Sequence, residues 1–135
     1  MGAMAWNESL SVGISGFDME HKRLIQLFND FHESISNKDS KEKMVMVIKG
    51  LKEYTVYHFR DEEGKMKLHN FPGYLAHKEE HDKFVKAVLD LEERFQKGKM
   101  ILTIEIINFI RDWITKHILT IDKQYTKFLN AKGVR

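Results

Sequence analysis

The stretch Asn70-Phe71-Pro72-Gly73-Tyr74-Leu75-Ala76-His77-Lys78-Glu79-Glu80-His81-Asp82-Lys83-Phe84 decides the fold. Its first four residues break a helix, because proline lacks a backbone N–H and glycine holds the chain loosely. Pro72 is also the only proline in the chain. From Tyr74 onward, His77, His81, Phe84, Val88, Leu91 and Phe95 return every three or four residues. That is the 3.6-residue period of an amphipathic helix, with two histidines on the face that should turn inward.

The same rhythm recurs on either side. His21, Leu24, Phe28, Phe31 and Ile35 form one stripe, and Met44, Val47, Leu51, Tyr54, His58 and Glu62 a second. Ile106, Phe109, Ile110, Trp113, His117, Ile121, Tyr125 and Phe128 form the last. The spacing predicts helices over 18–37, 40–67, 73–97 and 101–130. Asp39 with Glu42 reads as a capping box opening the second helix, and Gly98 as the glycine just past the third. Connections this short force neighbouring helices antiparallel. The expected fold is therefore all-α, an up-down-up-down antiparallel four-helix bundle. Trp6, Leu10, Val12, Ile14 and Phe17 give the preceding segment enough apolar weight to lie along the bundle as an extended arm.

Composition sets the bounds. One domain fits 135 residues, and a 42% hydrophobic content excludes a disordered chain. Twenty-two basic against 20 acidic residues leave a net charge of +2, so nothing calls for nucleic acid or a lipid surface. No apolar run approaches the roughly 18 residues of a membrane span. There is no cysteine, which removes disulfides, thiolate metal sites and thiol nucleophiles. Residues 1–5 read as a cloning remnant or disordered leader, 6–131 as the domain and 132–135 as a tail. A cytoplasmic location is expected, and the sequence is compatible with a monomer.

Seven side chains on the inward faces carry the chemistry: His21, His58, Glu62, His77, His81, His117 and Asp122. Burying five imidazoles and two carboxylates in a small apolar core is very costly without a partner, and a metal centre is the natural one. A lone histidine on an apolar face is usually a satisfied core residue. Here, however, His58–Glu62 and His77–His81 are pairs four residues apart, each on one helix face, and antiparallel packing brings all four helices' donors to one level. His117 and Asp122 are five apart, about 140° around an α-helix and about 7.5 Å along it, so they do not chelate one ion simply. Seven nitrogen and oxygen donors exceed the needs of a tetrahedral zinc and suit two iron ions. Two six-coordinate ions offer twelve positions. Five imidazoles, two bridging carboxylates and a shared solvent oxygen leave one vacant.

The runs Trp6…Val12-Gly13-Ile14…Asp18-Met19-Glu20-His21, His58-Phe59-Arg60-Asp61-Glu62-Glu63, His77-Lys78-Glu79-Glu80-His81 and Trp113…His117…Asp122 resemble the hemerythrin family. The bacterial single-domain branch, the bacteriohemerythrins, is the nearer likeness, and it spans about residues 6–128. The resemblance implies a non-haem di-iron centre with an oxo or hydroxo bridge that binds O2 reversibly. The O2 would rest as hydroperoxide beside the bridge, at the open position of one iron. It implies that His77, His81 and His117 complete one iron and that His21 and His58 hold the open one. Glu62 and Asp122 would bridge the two. Phe59, Trp113 and Ile114 match pocket-lining positions, and Glu20 would orient a ligand imidazole through its other N–H. Glu63, Glu79 and Glu80 are expected to face solvent. Nitric oxide or small anions are further candidate occupants of the open iron.

Other readings fare worse. His77-Lys78-Glu79-Glu80-His81 matches the inverted zinc-peptidase motif, but a zinc metallopeptidase leaves His21, His58 and His117 unexplained. A ferritin-like bundle needs Glu three residues before its histidines. Thr55, Tyr74, Lys78 and Ile114 stand there instead. Within the family, an O2 carrier or store is preferred to a sensor of O2, redox state or nitric oxide, and to a slow oxidase or peroxidase. No enzyme activity is expected.

Overall fold

The computed structural model describes residues 4–98 and 104–135. Its helices are α1 (Ser15–Ser36), α2 (Lys41–Leu68), α3 (Tyr74–Gln96), α4 (Ile104–Lys116) and α5 (Lys123–Ala131), the last two joined by a π-helical turn at His117–Asp122. Counting α4, the π turn and α5 as one rod, the chain is the expected antiparallel four-helix bundle. The expected start of the fourth helix, at 101, lies outside the described residues.

Each helix end explains the tight reversals. Lys38 takes φ 52° after α1, and the Asp39 N–H reaches back to the Ser34 carbonyl at 3.1 Å. Asn70 takes φ 58° after α2, and the Phe71 N–H bonds the Met66 carbonyl at 2.9 Å. Both are Schellman closures, which satisfy the last carbonyls and turn the chain sharply. After α3, Gly98 has φ 71°, as the sequence suggested.

This geometry corrects the reading of Asp39. Because its backbone closes α1, it is not the cap of α2. Ser40 takes that place, its hydroxyl accepting from the Lys43 N–H at 3.2 Å. The carboxylate of Asp39 pairs instead with Lys43, 3.2 Å away.

The arm is ordered against α5. After a 3₁₀ turn at Glu8–Leu10, the residues Leu10, Val12 and Ile14 are buried. Thr126 donates to the Val12 carbonyl at 2.6 Å, and Asn130 to the Gly13 carbonyl at 3.1 Å. Gly13 itself has φ 71°, and a Cβ there would meet the Thr126 side chain at 2.9 Å. A larger residue would have to push the Thr126 methyl aside and hold a backbone angle that favours glycine. Of the leader, residues 1–3 lie outside the described part, and Met4 exchanges two hydrogen bonds with the side chain of Asn29.

The bundle interior has two halves. Around Phe28, Phe31, Ile48, Leu51 and Val88 it is largely apolar, with Ser34 and Glu92 buried nearby. Towards the arm and the α2–α3 turn it holds His21, His58, Glu62, His77, His81, His117 and Asp122, all buried.

Candidate metal centre

The seven predicted donors meet. None is more than 5% exposed. They fall into two groups whose donor atoms each lie within 4.8 Å of one another. His77, His81 and His117 form one with Glu62 and Asp122, and His21 and His58 form the other with the same two carboxylates.

The carboxylates divide their oxygens between the groups. Glu62 Oε2 lies 3.3 Å from Nε2 of both His21 and His58, and Oε1 lies 3.3 Å from His81 Nε2. Asp122 turns Oδ2 to His21 at 3.1 Å and Oδ1 to His77 at 2.9 Å and His117 at 3.0 Å. Each carboxylate therefore has one oxygen on each side, the arrangement of a bridge between two positions.

The π turn makes the last contact possible. On an α-helix His117 and Asp122 would diverge, whereas wider i→i+5 winding returns residues five apart to one face. The expected awkwardness of this pair is thus corrected by local backbone geometry. Both side chains enter the same donor group.

The imidazoles are oriented for ligation. Glu20 Oε1 is 2.6 Å from Nδ1 of His58, and Glu63 Oε2 is 2.8 Å from Nδ1 of His81. A carboxylate there fixes the proton on Nδ1 and leaves the Nε2 lone pair facing inward. The Nε2 atoms of His81 and His117 point at each other 3.0 Å apart. At that distance the two nitrogens can share a single proton or a single cation.

Aromatic rings hold one group more firmly than the other. Phe59 stacks on His81 at 3.7 Å, Trp113 on His117 at 4.4 Å and Tyr125 on His77 at 5.6 Å. Among the described residues His21 and His58 have no stacked ring: they meet each other edge-on, and His58 also meets Phe17 edge-on and Phe59 at a tilt.

Charge follows from this packing. Burial alone would raise Glu62, yet His58, His21 and His81 hold it well below the usual carboxylate range. Burial and the Glu62 charge work against Asp122 as well, and His117 and His21 outweigh them and keep it ionised. Even so, Glu62 Oε1, both Asp122 oxygens and both ring nitrogens of His21 and His77 are buried without a hydrogen-bond partner. Such orphaned donors and acceptors are rare in a folded interior. They fit a bound cation, and the nitrogen-rich, oxygen-bridged set fits iron better than calcium or magnesium.

Beside His21 and His58 lies a cavity of about 10 Å³, walled by Leu24, Phe59, Trp113, Ile114 and Ile118 as well as by His117 and Asp122. That is room for about one water-sized molecule. Phe59, Trp113 and Ile114 all lie in this wall.

Sequence reasoning missed four residues. Leu24 and Ile118 complete the cavity wall; Leu24 is three residues past His21 and so on its face. Glu63 is half-buried on His81 rather than solvent-facing, and Glu80 is half-buried too, whereas Glu79 is exposed as expected. Requiring a partner for each imidazole's second nitrogen would have found Glu63. Tyr125, three residues past Asp122, donates its hydroxyl to Glu62 Oε2 at 2.5 Å and is wholly buried. Burial and the two carboxylates push that hydroxyl well above the ordinary tyrosine value, so it remains a donor.

The chain is similar in sequence and fold to known proteins. The sequence profile of the Hemerythrin HHE cation binding domain matches residues 12–129. A bacteriohemerythrin of Methylococcus capsulatus is 30% identical over 97% of this chain and 100% of its own length. One from Clostridium acetobutylicum is 32% identical over 89% of this chain and 96% of its own. A crystal structure of wild-type hemerythrin superposes with a TM-score of 0.89 at 29% identity, covering 93% of this chain and 97% of that one. A leucine-to-alanine variant of hemerythrin gives 0.90, with 96% and 98% covered.

Proposed function

The chain belongs to the hemerythrin family, and we propose that it binds O2 reversibly at two irons held by His21, His58, Glu62, His77, His81, His117 and Asp122. The observation that carries this reading is the division of Glu62 and Asp122, one oxygen of each towards each histidine group. Bound there, a pair of irons supplies two electrons that a small molecule can take up and give back.

The protein's residues determine which molecule and for how long. Three imidazoles against two place the less crowded position on the His21–His58 side, and the cavity opens on that side. Its volume, about that of one water-sized molecule, excludes an organic substrate. Apart from the ligands, Leu24, Phe59, Trp113, Ile114 and Ile118 line it, and none carries an acid that could protonate a bound oxygen. A dry wall without a proton source favours release over reduction. This supports a carrier or store over an oxidase.

Among the described residues, no helix is long and apolar enough to cross a membrane. A cytoplasmic site of action is part of the proposal.

Titrating the reduced, iron-loaded protein with O2 tests the function. An absorption band that grows with O2 and fades when the gas is removed is the expected result. Immediate, irreversible oxidation would count against a carrier and favour an oxidase or redox sensor.

A further inference from the structure

We propose that Tyr125 is a positioning residue that tunes the redox poise of the His21–His58 metal through Glu62, an inference that rests on the di-iron reading above. Four carboxylate oxygens face the metal positions. Three of them, Glu62 Oε1 and both oxygens of Asp122, have no hydrogen-bond partner among the described residues. The fourth, Glu62 Oε2, accepts the Tyr125 hydroxyl. That oxygen is the one turned to His21 and His58, 3.3 Å from each. The single added donor is therefore aimed at the side with the cavity.

Its direction of effect follows from simple electrostatics. A donor hydrogen bond draws negative charge away from a carboxylate oxygen, which then compensates a higher metal charge less well. The more oxidised state loses stabilisation, and the potential rises. Tyr125 thus makes the cavity side harder to oxidise, which a protein that must release O2 unchanged requires. The ring cannot drift away. It is wholly buried, stacked 16° from parallel on His77, and packed edge-on against Phe17 at 5.4 Å.

The test is the midpoint potential of the iron-loaded protein, measured by spectroelectrochemistry beside metal content. Tyr125→Phe keeps the ring and removes the donor. It should keep two irons per chain and lower the potential by about 59 mV, a tenfold shift for one electron. Ile48→Val, in the apolar half, should leave the potential unchanged, which separates tuning from general loosening. Site-specific fluorotyrosine at 125 supplies a stronger donor in the same shape and should raise the potential, even if Tyr125→Phe loses metal. An unmoved potential in Tyr125→Phe with both irons present, or in the fluorotyrosine protein, overturns the inference. A wild-type chain that takes up no metal pair would instead overturn the di-iron reading beneath it.

Discussion

The Glu20 carboxylate lies 2.6 Å from Nδ1 of His58, on the far side of that imidazole from Glu62. The two glutamates hold one ring between α1 and α2 and fix which nitrogen faces the metal. Glu20→Ala should therefore weaken metal binding by roughly 10–100-fold, the usual cost of losing such a partner. Competition with a chelator of known affinity measures it. Unchanged affinity would mean that packing alone orients His58.

Ligand substitutions should differ by how many groups each side chain serves. His58 belongs only to the smaller group, whereas Asp122 belongs to both. His58→Ala should leave one ion per chain and Asp122→Ala fewer still, as read by elemental analysis of the purified proteins. Two full irons in either variant would remove that residue from the ligand set.

Ile114 is 2% exposed and forms part of the cavity wall. Ile114→Ala should cost about 2–5 kcal/mol of stability, the range for truncating a buried isoleucine. It should also enlarge the cavity, so that azide or thiocyanate binds the oxidised protein more tightly and O2 is released less cleanly. Ile114→Phe should fill the space and slow both. Calorimetry and anion titration report the two effects separately.

Metal binding should release protons. Without metal, burial would lower His21, His58 and His81, but the carboxylates of Glu62, Asp122, Glu20 and Glu63 outweigh it and raise all three, His58 to about 10. These rings therefore carry protons at neutral pH that a metal must displace. Affinity should rise with pH and fall in acid. The metal-free protein should behave oppositely. The stability that protonated His58 contributes is complete below its ordinary value near 6.5 and is lost as the pH rises through about 10. Calorimetric titration in buffers of different ionisation enthalpy counts the protons. Melting curves across the same range test the second sign.

Much of this was legible because it depends on periodicity. Four stripes at 3.6-residue spacing placed the helices, and short breaks made them antiparallel. Level counting along those rods then brought His21, His58, His77, His81 and His117 together. What the sequence hid depends on local backbone departures from the regular helix. Nothing in His117-Ile118-Leu119-Thr120-Ile121-Asp122 announces a π turn, because its cause lies in the partners that Asp122 meets on three other helices. Asp39 misled for a related reason, since its role was taken by the closure of the preceding helix. Tyr125 looked like one more core aromatic until its hydroxyl had somewhere to go.

The stack of Trp113 on His117 has an optical consequence. The chain has two tryptophans. Trp113 lies against a metal-facing ring, while Trp6 is on the arm, near Lys22 at 5.0 Å. A transition metal with absorption bands in the near ultraviolet quenches an indole in ring contact with its ligand far more than one on the arm. Emission from the loaded protein should come mainly from Trp6, and Trp113→Phe should barely dim it. Stripping the metal should restore the second emitter, so the protein carries its own fluorescent gauge of occupancy.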